Sequence, residues 1–173
     1  MHFCEHVFLV GMAGCGKTTL GRKAAQNLGI DFFDTDQYIS QAMKGMTVNE
    51  IYSQLGEDFF RLAETAALVE LTGKPPCIIS TGEGTVLSDE NVRIMRSNGT
   101  VIFVDRPLDQ ILSDLKTDRR PTLHDSNTEE IIRQYKMRVG HYRSAADFTF
   151  DNSRGYYMGV GRLTSLIETL YTR

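Results

Sequence analysis

Cysteine is scarce in this sequence, and the three present, Cys4, Cys15 and Cys77, are odd in number and far apart. They form no disulfide framework, and no Cys/His cluster has the spacing of zinc ligands. Long hydrophobic runs are missing too. No stretch approaches membrane-spanning length, and the first apolar run, "HVFLVG", is reached without a basic leader or a cleavable region. Low-complexity tracts and internal repeats are absent. Nor is there an excess of basic charge: the formal net charge of −3 argues against a general binder of nucleic acid or anionic membranes, so any anion must be held by a local basic site. What remains is an ordinary globular composition, 41% apolar and 24% charged over 173 residues, enough to bury a core as one domain. A reducing cytoplasm is the expected location. No interaction surface stands out, so the expected state is a monomer.

What the chain does have is alternation. "VFLV" (residues 7–10) reads as a buried strand ending in glycine, and a helix is expected from Lys17 to about Asn27, ending at Gly29. "DFF" (31–33) is a short strand candidate. Thr47 and Glu50 have capping-box spacing and open a helix through Leu55. A longer helix from about Glu57 ends at Gly73, with Pro75 and Pro76 as stop signals. "CIIS" (77–80) and "TVIFVD" (100–105) are further apolar strands, separated by a helix starting near Ser88. A helix follows Pro107 to about Lys116, and "TDRRPTLHDSN" reads as a mobile loop. A helix over about 128–146, the strand "FTF" and a final helix complete the chain. Apolar strands alternating with helices indicate an α/β fold with a parallel sheet covered on both faces.

"GMAGCGKTT" carries the strongest chemical signal. Gly11, Gly16, Lys17 and Thr18 satisfy G-x-x-x-x-G-K-[ST] between a predicted strand and a predicted helix, the context this phosphate loop requires. The glycines, Gly14 among them, let successive amides point at phosphate oxygens, and the helix N-terminus adds positive potential. Lys17 is expected to bridge the β- and γ-phosphates of a bound nucleotide, and the Thr18 hydroxyl to bind Mg²⁺. Thr19 and Cys15 belong to the same nucleotide-binding stretch, Cys15 as a small loop residue rather than a catalytic thiol.

Other candidates are weaker. Asp34 and Asp36 follow the second strand candidate, where ligands bind in open α/β sheets. One can position Mg²⁺ through water and the other accept a proton from a hydroxyl nucleophile, or both can simply cap the next helix. Arg138 falls at the edge of the apolar arc formed by Ile131, Ile132, Tyr135, Val139, Tyr142 and Ala146. Its head either reaches water or is buried and needs an anionic partner. Arg61 lies within pairing reach of Glu57 and Glu64, which reads as a surface ion pair. Arg119 and Arg120 precede Pro121 in the loop, placed either to neutralise charge at a γ-phosphate or to be solvated. The four histidines are scattered, and none is given a catalytic role.

Together these stretches resemble shikimate kinase, a family of small P-loop kinases of the nucleoside-monophosphate-kinase type. "GMAGCGKTT" resembles the family's phosphate loop and "FFDTDQYI" its Asp-x-Asp segment. "GEDFFRLAE" resembles its Gly-Glu…Phe-Arg…Glu helix, "STGEGTV" its triple-glycine loop, "RRP" its lid, "RVGHY" its Arg-x-x-x-Tyr segment and "DNSR" its adenine-side loop. The match runs in order over nearly the whole chain. It implies a three-layer P-loop NTPase fold, a five-stranded parallel sheet with helices on both faces, formed as a single domain over residues 1–173. Within it lie a substrate-binding segment at about 34–64 and a lid at about 115–126. It implies transfer of the ATP γ-phosphate to the 3-hydroxyl of shikimate, a step towards aromatic amino acids. By position, Asp36 would hold the substrate hydroxyls and act as base or orienting group, and Asp34 would sit on the Mg²⁺ side. Arg61 and Arg138 would clamp the substrate carboxylate, with Glu64 orienting Arg61 and with Tyr52 and Phe60 lining the pocket. Gly82, Glu83 and Gly84 would face substrate. Arg120 would be the lid arginine, and Arg154 would lie beside adenine.

Three positions depart from the pattern. "TL" follows the lid proline where a leucine pair is common, and Ser113 stands where an arginine is expected, with Lys116 able to substitute. Glu83 replaces the middle glycine. A positive φ there would strain the loop by about 1 kcal/mol or more. With a negative φ, its carboxylate would repel an anionic substrate by about 4 kcal/mol at an effective dielectric near 20. That repulsion vanishes if Glu83 turns outward, pairs with a basic residue or helps to hold Mg²⁺ through water. The alternatives are a P-loop kinase of another small polyol such as gluconate or of a nucleotide, and a non-catalytic nucleotide-binding protein on this fold.

Overall fold

Short apolar strands form the centre of the computed structural model, which describes residues 5–116 and 128–171. β1 (His6–Val10), β2 (Phe32–Asp34), β3 (Ile78–Ser80), β4 (Gly99–Asp105) and β5 (Phe148–Asp151) pair in parallel in the order β2-β3-β1-β4-β5. Val7, Phe8, Leu9 and Val10 of the central strand are buried almost completely, as expected for a strand covered on both sides. The helices around this sheet are α1 (Lys17–Leu28), α2 (Thr35–Ala42), α3 (Val48–Leu55), α4 (Glu57–Thr72), α5 (Asp89–Asn98), α6 (Leu108–Lys116), α7 (Thr128–Ala145) and α8 (Tyr156–Tyr171). A 3₁₀ turn occupies Thr85–Leu87.

The order reverses direction at β1, with β3 on one side and β4 on the other. Such a switch point opens a crevice beyond the carboxyl ends of the strands. The register Leu9↔Ser80 and Asp34↔Ser80 brings the ends of β1, β3 and β2 to one edge. A second, smaller core of Ile39, Ile51, Phe60 and Ala67 joins α2, α3 and α4 beside that crevice. The capping box at Thr47 and Glu50 forms as expected. α2 is a helix that the sequence marked only through the capping reading of Asp34 and Asp36. It is eight residues long and starts from the side chain of Asp34, which accepts from the amides of Asp36 and Gln37.

α1 lies against the sheet at Gly21, where a Cβ would sit 2.6 Å from Leu9 Cδ1 and 2.9 Å from Phe32 Cε2. Gly21→Ala gains about 1 kcal/mol of helix propensity but forces a close-packed contact apart, at a cost of about 1–3 kcal/mol. Urea denaturation is expected to show a net loss of stability, with an unchanged or raised midpoint contradicting this contact.

Candidate active site

The phosphate loop leaves β1 through Gly11, Gly14 and Gly16, with φ of 146°, 82° and 106°, conformations that side chains disfavour. The buried Lys17 curls over the loop and donates from Nζ to the carbonyls of Gly11 (2.7 Å) and Met12 (3.0 Å). Two residues that the sequence reading did not single out hold this loop from outside. Asn152 Nδ2 donates to Cys15 O at 2.8 Å, and Arg106 Nη1 donates to Gly14 O at 3.0 Å. Asn152 and Arg106 each directly follow a strand, β5 and β4. That position at the ligand-binding edge is the signal by which they could have been found.

At the same edge Thr18 Oγ1 donates to Asp34 Oδ2 at 2.6 Å and lies 3.3 Å from Ser80 Oγ. The other Asp34 oxygen caps α2, so the capping reading of Asp34 holds, and the same side chain also meets Thr18. Among the described residues no three His, Cys, Asp or Glu side chains cluster as metal ligands. A hydroxyl beside one carboxylate is instead a donor set suited to Mg²⁺, which keeps waters and takes phosphate oxygens for its remaining positions.

A cavity of about 600 Å³ opens next to the loop. Asp36 projects into it from the first turn of α2, with Oδ1 buried and without a hydrogen-bond partner. Burial, followed by the charges of Asp34 and Glu64, pushes its carboxyl up to about 6. Opposite, Arg61 donates to the buried Glu64 (Nη1 to Oε2, 2.5 Å) and to Glu57 (Nη2 to Oε1, 3.2 Å). Its head also lies 5.9 Å from the Tyr52 ring centroid and 5.8 Å from that of Phe60. The expected ion pairs therefore form, but on the cavity wall, with the aromatic rings supporting the guanidinium.

"STGEGTV" runs along the cavity floor. Gly82 and Gly84 are glycines because neighbours approach closely. A Cβ at Gly82 would lie 2.6 Å from Glu64 Oε1, and one at Gly84 would lie 2.4 Å from Arg61 Nη1. Thr35 Oγ1 accepts from Gly82 N at 3.0 Å. The middle position is different. Lys44 is the only non-glycine with positive φ among the described residues, so Glu83 carries no such strain. Its side chain faces the cavity and is paired: Arg138 Nη1 donates to Oε1 at 2.6 Å, and Ala13 N donates to Oε2 at 3.2 Å. Arg138 is thus half-buried with an anionic partner, and Tyr142 of the same helix donates to Glu83 O at 2.8 Å.

The structure therefore gathers Lys17, Thr18, Asp34, Asp36, Arg61, Gly82, Glu83, Gly84 and Arg138 around the crevice beyond β1, β2 and β3. Thr19 and Arg154 are exposed and do not line the cavity. Arg119, Arg120 and nearly all of the expected lid lie outside the described residues.

The family model described as shikimate kinase matches residues 13–160. The chain belongs to the shikimate kinase family. A shikimate kinase of Clostridium beijerinckii is 40% identical over 148 residues, 86% of each chain. One of Thermoanaerobacter pseudethanolicus is 43% identical over 152 residues, covering 86% of this chain and 87% of that one. A solved shikimate kinase from Acinetobacter baumannii, described as a complex with shikimate, superposes with a TM-score of 0.84 at 31% identity over 98% of this chain and 96% of that one. As a shikimate kinase family member the protein is a phosphotransferase acting on an alcohol group, with ATP and Mg²⁺ as cofactors. Its fold is the family's five-stranded parallel sheet with helices around it. Among the described residues no helix is long and apolar enough to cross a membrane.

The raised Asp36 carboxyl has a cost in stability. Between the ordinary aspartate value near 4 and about 6, the folded state holds a proton that the unfolded chain has already lost. Stability therefore falls as pH rises through this window, and the loss is complete above it. Two pH units correspond to about 3 kcal/mol at most. Asp36→Asn is expected to be more stable than the unsubstituted chain by on the order of 2 kcal/mol in urea denaturation near pH 8. The difference should fade towards about pH 4, and a variant that is less stable at both would contradict the burial of this charge.

Proposed function

We propose that this chain transfers the γ-phosphoryl group of ATP to the 3-hydroxyl of shikimate, giving shikimate 3-phosphate and ADP. One observation carries the reading: a buried, unpartnered Asp36 oxygen shares a cavity with two arginines, directly beside a phosphate loop. An acceptor with hydroxyls at one end and a carboxylate at the other matches those groups. The Acinetobacter baumannii relative, solved in complex with shikimate, supports the same substrate.

When bound, ATP supplies the phosphoryl group and Mg²⁺ offsets its negative charge. Thr18, with Asp34 beside it, would hold the metal, and the amides of Gly14, Cys15 and Gly16 would face the phosphates with Lys17 and Thr19. Lys17 can leave two neutral carbonyls for an anion and so stabilise charge on the transferring group. Asp36 accepts the proton of the attacking hydroxyl. With its carboxyl near 6, it is ionised at neutral pH yet basic enough to take a proton. Arg61 and Arg138 hold the substrate carboxylate, with Glu64 fixing the orientation of Arg61. Arg120 and Arg154 act from the lid and the adenine side in this reading, which for them rests on the sequence resemblance.

The chain works as one domain, with the substrate segment at about 34–64 and the lid at about 115–126. We place it in the cytoplasm as a monomer, in keeping with the free, buried thiols of Cys15 and Cys77. Gluconate also offers a carboxylate and hydroxyls, and the preference for shikimate rests on the family match. A non-catalytic role has less support, because Lys17, Thr18 and Asp36 are all in place.

Coupled ADP release over shikimate, quinate, gluconate and nucleoside monophosphates is expected to show turnover with shikimate. Turnover only with gluconate or a nucleotide would overturn the assignment, and ATP binding without turnover would favour the non-catalytic reading. Lys17→Ala is expected to lower kcat at least about 100-fold; a near-normal rate would remove Lys17 from the mechanism. The kcat/KM profile is expected to fall on the acid side with a midpoint near the Asp36 value of about 6. A limb at the ordinary carboxylate range near 4 would point to a different base.

A further inference from the structure

The geometry points to Glu83 as an internal occupant of the substrate-carboxylate site, one that an incoming carboxylate must displace from Arg138. This inference rests on the shikimate reading of the cavity and concerns how strongly and how selectively that site binds.

The Glu83 carboxylate is held as a bound ligand carboxylate would be, by a guanidinium nitrogen at 2.6 Å and a phosphate-loop amide at 3.2 Å. These two contacts bridge α7 to the loop after β1. Both guanidinium groups lining the cavity are engaged by the chain's own acids, Arg61 by Glu57 and Glu64 and Arg138 by Glu83. The pairs facing substrate are not equally exchangeable. The Glu64 side chain is 1% exposed and also accepts from Thr85 Oγ1 at 2.9 Å, so it is a fixed part of the wall. The Glu83 side chain is 38% exposed while Arg138 is only 12% exposed. Rotating the Glu83 carboxylate into water costs little desolvation, whereas Arg138 needs a replacement anion.

The main chain of Glu83 need not move in that exchange. Tyr142 holds its carbonyl at 2.8 Å, and the residue has no left-handed strain to release. The competition is therefore a side-chain event confined to one guanidinium. It weakens ligands bearing a carboxylate and leaves neutral ligands of the same shape nearly untouched, so Glu83 sets how strongly the cavity selects for an anionic acceptor.

The experiment is a cycle of two ligands against three proteins: shikimate and its neutral methyl ester, each titrated calorimetrically into the unsubstituted protein, Glu83→Gln and Glu83→Gly. Loss of one charge-assisted, partly exposed competitor is expected to tighten shikimate binding about tenfold. Ester binding is expected to stay within about twofold, because no charge is exchanged. The discrimination between acid and ester thus rises about tenfold in both variants. Equal changes for acid and ester would overturn the inference, since Glu83 would then act on cavity shape. Weaker shikimate binding in both variants would overturn it as well, making Glu83 a residue that positions Arg138 for substrate. Shikimate turnover by the unsubstituted protein without any gain in the variants removes the competition and leaves the proposed function standing. Shikimate binding only in the variants upholds the competition and removes the proposed function from the natural chain. Binding by none of the three removes both.

Discussion

The buried carboxylate of Glu64 sets the geometry of the arginine-lined wall of the cavity. A carboxyl group with a side chain 1% exposed is tenable only with strong partners. It has two, the Arg61 guanidinium and the Thr85 hydroxyl. These contacts fix an arginine of α4 and the 3₁₀ turn in a single frame. The loop between β3 and that turn then has no space for side chains at Gly82 and Gly84. The shape of the cavity thus follows from satisfying one buried carboxylate: removing Arg61 would take away its ion-pair partner, and removing the Thr85 hydroxyl a buried hydrogen bond.

The opposite wall is organised by the strand edge. The parallel register brings Asp34 and Ser80 level, and Thr18 meets both from the start of α1. At the same edge, Arg106 and Asn152 brace the phosphate loop from the ends of β4 and β5. The crevice therefore sits between two rigid supports, while the acid it contains is held at a cost. Asp36 is pushed up by burial and by neighbouring carboxylates, which is how binding sites commonly trade stability for reactivity.

Much of this was legible in the chain because it depends on local pattern. The strand–glycine–helix context identified the phosphate loop, and glycine and proline stop signals bounded the helices to within a residue or two. Asp34 was harder, because capping and a site role call for the same residue type, and the structure shows one oxygen capping α2 and the other meeting Thr18. Arg61 read from spacing as a surface pair. The pairs are real, but helical spacing does not say which face meets a cavity. α2 was implied only by the capping reading of that same aspartate. The direction of Glu83 could not be read at all, since its partner Arg138 is 55 residues away and the contact exists only once α7 lies along the 3₁₀ turn.

The anchoring of Glu83 also bears on how this family can vary. The main chain at position 83 is gripped from α7 by Tyr142, and its neighbours are pinned by contacts that only glycine tolerates. The frame around that position is rigid, yet the position itself accepts a side chain without strain. It works as a socket: different inserts can be fitted without rebuilding the walls. A lineage can therefore retune the charge of its acceptor pocket one residue at a time, keeping the fold and the phosphate loop as they are.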